Sequence, residues 1–176
     1  MKIFARNIKG IMIIAFIFIL SACSTNSGQV TSGNNVINNN EVPLIIDASK
    51  LSRISVSKVK EIMGEPESTE KWKFNSKYDA STLTYDKGNT ELMVIDDAVV
   101  RLTIYPVDLE IEDKKDIFKA LNITPGESLK KASDTGTATK YHLVSDNIAE
   151  LYLQSDFADK NIITDITVTY DLRYFE

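Results

Sequence analysis

The chain has 176 residues, 43% hydrophobic and 26% charged, with one cysteine, one histidine and a formal net charge of −5. A lone cysteine excludes an internal disulfide, and a single histidine without a second thiol leaves no set for a histidine-based zinc site. The acidic balance weighs against nucleic acid and against adhesion to anionic lipid, both of which need basic patches.

The first element is a leader. Lys2, Arg6 and Lys9 form a positive start, and Ile11 to Leu20 is a ten-residue apolar run without a charge. That length fits the core of a secretory signal and is too short to span a bilayer comfortably. Leu20-Ser21-Ala22-Cys23 closes it. This run resembles the lipobox of bacterial lipoproteins. The resemblance implies a thioether-linked diacylglycerol on Cys23, cleavage before it, and a processed chain that begins there. Residues 1–22 are then the signal peptide, and Cys23 is a tether instead of a nucleophile. The three leader bases leave 17 basic against 25 acidic residues beyond it, a net of −8.

Residues 23–42 follow as a tether. Ser24 to Asn40 is Ser, Thr, Asn, Gly and Gln with only Val30, Val36 and Ile37 as larger apolar residues. Such a segment cannot bury enough surface to offset ordering entropy, and flexible-chain scaling gives it a mean span of roughly 20–25 Å. Residues 43–176 are one ordinary domain's worth of chain, long enough for a core without disulfides or metal.

Within that domain two halves read alike, about 44–107 and 108–176. In the first, Val56, Val59, Ile62 and Met63 fall at helical spacing, Ser55 or Ser57 can cap the start, and Gly64 with Pro66 stops it. Strands are predicted at Glu70–Phe74, Ser81–Tyr85, Glu91–Ile95 and Ala98–Tyr105, with Trp72 and Phe74 opposite Lys71 and Lys73. In the second, a helix is predicted over Asp113–Leu121. Thr124-Pro125-Gly126-Glu127 carries N-cap, first-turn proline and capping-box signals for another helix to about Ala132. Strands follow near Thr137–Val144, Asn147–Gln154 and Ile162–Tyr170. The expected fold is therefore α+β: two helix-plus-antiparallel-meander repeats, with the helices packed on one face of a curved sheet.

The segment Ser57-Lys58-Val59-Lys60-Glu61-Ile62-Met63-Gly64-Glu65-Pro66-Glu67, with Trp72, Tyr85 and the strand Val99–Tyr105, resembles the repeat of β-lactamase-inhibitor-protein-like domains. Small outer-membrane-assembly lipoproteins share that fold. Met63 stands where the pattern has Leu, and the second half lacks the Gly-x-Pro after its helix. The resemblance implies a helix layer on a curved antiparallel sheet whose exposed face binds protein, and it brings no catalytic residues and no cofactor.

Chemical signatures are sparse. Asp96-Asp97 and Asp156–Asp159 lack the alternating oxygen ligands and distal Glu of a calcium loop and read as turns. His142 alternates with Tyr141 and Leu143 as an ordinary strand residue. There is no phosphate-binding glycine loop and no nucleophile elbow. Candidate partner-binding residues are Trp72, Tyr78 and Tyr152, with Lys71, Lys73 and Arg101, since aromatics and Arg are favoured interface anchors. The expected function is a lipid-anchored, extracytoplasmic, non-enzymatic binding module of the bacterial cell envelope, attached to the membrane through its N-terminal lipid and holding a protein or envelope partner. Three alternatives stand beside it: an inhibitor of a secreted enzyme, a small envelope hydrolase with paired carboxylates, and a scaffold part of an envelope assembly.

Overall fold

The computed structural model describes residues 42–176. The leader, Cys23 and the tether as far as Glu41 lie outside the described residues. The strands are β1 (Ser68–Phe74), β2 (Tyr78–Tyr85), β3 (Thr90–Ile95), β4 (Ala98–Ile104), β5 (Leu109–Glu110), β6 (Lys130–Asp134), β7 (Ala138–Ser145), β8 (Ile148–Ser155) and β9 (Ile162–Thr169). The helices are α1 (Val56–Met63) and α2 (Ile117–Ala120).

All nine strands form one antiparallel sheet in the order β1-β2-β3-β4-β9-β8-β7-β6, with β5 beside β9. β4 and β9 join the two halves, Leu102 opposite Val168 and Ile104 opposite Ile166. The chain steps off the sheet at Tyr105–Asp108 and returns as β5, where Leu109 faces Ile163. β1 and β6 are the outer strands of the sheet, and β6 is exposed along its whole length.

This corrects the expected architecture. Among the described residues the structure is mostly antiparallel sheet, and the α-helices are two short pieces of eight and four residues, so the domain is not a pair of helix-plus-meander repeats. The helix expected from Thr124 to Ala132 is absent; Lys130–Asp134 is strand β6, laddered to β7 with Lys131 opposite Tyr141. The physical reason is local. Capping signals satisfy only a helix's first N–H groups, and the segment offers just Leu129 and Ala132 as an apolar face, too little to hold a short helix. The Gly126 N–H instead donates to the Val144 carbonyl at 2.8 Å, and the chain runs on into the sheet.

α1 forms where it was predicted. The Ser55 hydroxyl accepts from the Lys58 N–H, and Gly64 at φ +84° ends the helix in a conformation that glycine adopts without steric cost. Only Val59 is fully buried; Val56 and Met63 pack against the core at its margin, and Ile62 is 44% exposed.

The main core lies on one face of the sheet. Leu83, Leu92, Leu102, Leu151, Leu153 and Ile166 point into it, each worth roughly 1.5–3 kcal/mol when fully buried. Its cover is pieced together from the 3-10 turn Ala48–Leu51, α1, and α2 with Ile117, Phe118 and Ala120. Tyr170 is buried among them, and its hydroxyl donates to the Ala48 carbonyl at 2.8 Å. Burial pushes that phenol far above its ordinary range.

Candidate protein-binding face

Pairing fixes which side chains share the opposite, outer face. Trp72 lies across from Ala80, Thr82 across from Met93, and Met93 across from Arg101. Arg101 then faces Thr169, which faces Glu150, which faces His142. Tyr152 stands on the same face between Thr167 and Lys140. Of the six residues singled out from sequence, Trp72, Tyr78, Arg101 and Tyr152 therefore share one face, whereas Lys71 and Lys73 alternate to the other. Lys73 pairs there with Asp79 at 2.8 Å, both well exposed. Cys23 lies outside the described residues.

The face has two parts. Over β2–β4 a small second core of Ala80, Met93, Ile95 and Val100 is closed by Phe74, Tyr78, Tyr174 and Phe175. The chain after β9 makes this lid. Asp171 accepts from the Arg173 N–H at 3.1 Å and from its guanidinium, which turns the backbone. Tyr174 then packs edge-on against Tyr78 at 5.0 Å, and its hydroxyl donates to Asp96 at 2.9 Å. Phe175 sits against Phe74 at 5.2 Å, and the Arg101 guanidinium lies 3.7 Å from the Phe175 ring centre.

Over β7–β9 the face is polar. Glu150 accepts from Lys140 at 2.9 Å and lies 3.2 Å from His142 Nδ1. The Tyr152 hydroxyl donates to Gln154 at 2.6 Å. Burial raises the Asp165 carboxyl above its usual range, against the hydroxyl of Thr167, which donates to it at 3.1 Å, and the charge of Arg101. Burial also lowers the Arg101 guanidinium, opposed by Glu150 and Asp165. The Arg101 Nε is buried and has no hydrogen-bond partner among the described residues.

No family model matches the chain, and no curated protein matches it. Among solved structures, the chain is similar to an extracellular protein containing a SCP domain from Bacillus anthracis, at 13% identity and a TM-score of 0.38 over 81% of this chain. It is also similar to a cysteine-rich secretory protein from Staphylococcus aureus, at 11% identity and a TM-score of 0.36 over 73% of this chain. The match spans half the length of each of those two chains.

Among the described residues no group of three or more His, Cys, Asp or Glu side chains could hold a metal ion. One cleft of about 670 Å³ lies beside Lys131 and Tyr141, and another of about 530 Å³ runs along Lys71, Trp72 and Lys73. Sequence reasoning missed Glu150, Asp165, Tyr174 and Phe175. The period-two pattern could have placed the first two; the chain's turn back over β2–β4 left no local signal.

Proposed function

We propose that this chain is a lipid-anchored, extracytoplasmic binding module of the bacterial envelope that holds a protein or envelope component and catalyses no reaction. The polar half of the outer face, centred on Glu150 and Tyr152, makes the contact. The observation that carries this reading is the outer face over β7–β9, where Lys140, His142, Glu150 and Tyr152 stand together as half-buried polar and aromatic side chains. Tyr152 supplies an amphipathic ring of the kind favoured at interfaces. The leader ending in Leu20-Ser21-Ala22-Cys23 supports the address and the anchor.

Two measurements test the two parts. Cys23→Ser should release the protein from the membrane fraction; retention there would end the anchor reading. A photo-crosslinking side chain placed at Tyr152 in intact cells should give one discrete adduct that Glu150→Ala abolishes. No adduct at Tyr152, with an adduct from the same probe at Lys73, would move the contact to the other face.

A further inference from the structure

The end of the sheet at which Val42 enters carries exposed apolar residues on three neighbouring segments. Leu44 is 64% exposed, Val107 73% and Phe157 91%. The backbone draws the three segments together. Pro43 and Ile45 line one cleft with Tyr105, Val107 and Leu109, which sets the incoming chain beside the loop between β4 and β5. The Ile111 N–H donates to the Asn161 carbonyl at 2.8 Å, and Leu109 faces Ile163, which sets that same stretch beside the loop between β8 and β9. Tyr105, 40% exposed, and Ile162, 37% exposed, flank the tips.

The tip bearing Phe157 is held by its own hydrogen bonds. Asp156 accepts from the Ala158 and Asp159 N–H groups at 2.7 and 3.0 Å, and Asp159 accepts from the Asn161 N–H at 3.0 Å. The Asp156 N–H donates to the Ile162 carbonyl at 2.8 Å. This loop presents a ring to solvent while its acids are occupied by backbone, so the ring gains nothing from the domain's own core.

We propose that this end of the domain is a membrane-facing surface, with Leu44, Val107 and Phe157 dipping into the interface of a bilayer with zwitterionic headgroups. The proposal rests on the anchor reading, which puts a bilayer within reach: Cys23 lies 19 residues before Val42. The apolar tips lie at the end that carries Pro43 and Leu44, next to the first described residue, Val42. Charge selects the lipid. The loops bearing the tips, with the neighbouring 86–89 turn, carry Asp86, Asp108, Asp156 and Asp159 against Lys87 and Lys160, a net of −2. Apolar contact therefore drives the docking, and anionic lipid opposes it.

The test uses the full chain, produced in a bacterial host and taken from the membrane fraction into phosphatidylcholine vesicles, with or without bromine on the acyl chains. The chain's one tryptophan is removed by Trp72→Phe and a new one placed by Phe157→Trp, at a site open enough to leave folding alone. Seated ~5–10 Å into the interface, the new indole should emit to the blue and lose roughly half its intensity to brominated lipid. The unsubstituted chain, reporting from Trp72, should show little loss. Adding anionic phosphatidylglycerol should reduce the quenching. An unquenched indole at position 157, or equal quenching of Trp72, overturns the proposal. If the protein never enters the membrane fraction, the anchor reading has failed on its own. The same vesicles, bearing a maleimide lipid coupled to Cys23, then decide the apolar tips by the same two readouts.

Discussion

One face of one sheet is dry over β2–β4 and wet over β7–β9. Both stretches obey the same alternation. The first ends up beneath Tyr174 and Phe175, so its outward residues are Ala80, Met93, Ile95 and Val100. The second keeps Lys140, His142, Glu150, Tyr152 and Gln154, half-buried and bonded to one another. The difference is made by the few residues after β9, which turn towards the first half instead of the second. Period two says which side chains share a surface; a short stretch of chain decides which part of that surface becomes core.

The comparison breaks most directly at Phe175. Phe175→Ala uncovers the small second core and leaves the Arg101 guanidinium without its ring, and should cost about 2–3 kcal/mol of unfolding free energy in urea. Tyr152→Ala on the wet half should cost under ~1 kcal/mol. Equal losses would mean that the two halves do not differ in what they contribute to stability.

Acid should separate the halves by sign. The Asp171 carboxyl is held below its ordinary value by the hydrogen bond from Arg173, so the stability it contributes is present above pH 3.8 and is lost as pH falls through the lower folded value. Burial raises the Asp165 carboxyl, so its cost is felt at neutral pH and fades as pH falls through the raised folded value towards 3.8. Asp165→Asn should therefore raise the thermal midpoint at pH 7, by an amount worth about 1 kcal/mol or less, with the gain shrinking in acid. Asp171→Asn should lower it at pH 7, with the loss shrinking in acid. Same-signed profiles would erase the distinction.

The smallest effect lies at Leu143. A β-bulge between His142 and Ser145 puts Leu143 at φ +51°, and the side chain is 51% exposed. A left-handed leucine costs roughly 1–2 kcal/mol, of which glycine's extra chain entropy returns part. Leu143→Gly should raise the melting temperature slightly and leave the outer face unchanged. A fall would mean that the exposed leucine contacts something.

These particulars show what the sequence could and could not say. The strands expected at Glu91–Ile95 and Ala98–Tyr105 lie within a residue of β3 and β4, because Leu102 and Ile104 alternate with Arg101 and Thr103 and Leu92–Ile95 is a short apolar run bounded by the Asp96-Asp97 turn. The β4–β9 pairing joins residues more than sixty positions apart and leaves no local trace. β6 was hidden by capping residues that suit a helix yet here open a turn. Among the site residues, alternation already divided Trp72 from Lys71 and Lys73, and grouping all three as one patch set that parity aside. Arg101 and Tyr152 fell on a common surface, but that the first would lie against Phe175 followed only from the chain's last turn.

The sheet's two outer strands carry a final consequence. Among the described residues neither β1 nor β6 has a neighbour on its far side, and an edge of that kind can accept another strand. Lys71 and Lys73 stud one border, Lys130 and Lys131 the other. Charged side chains on such borders work against pairing between copies of the molecule.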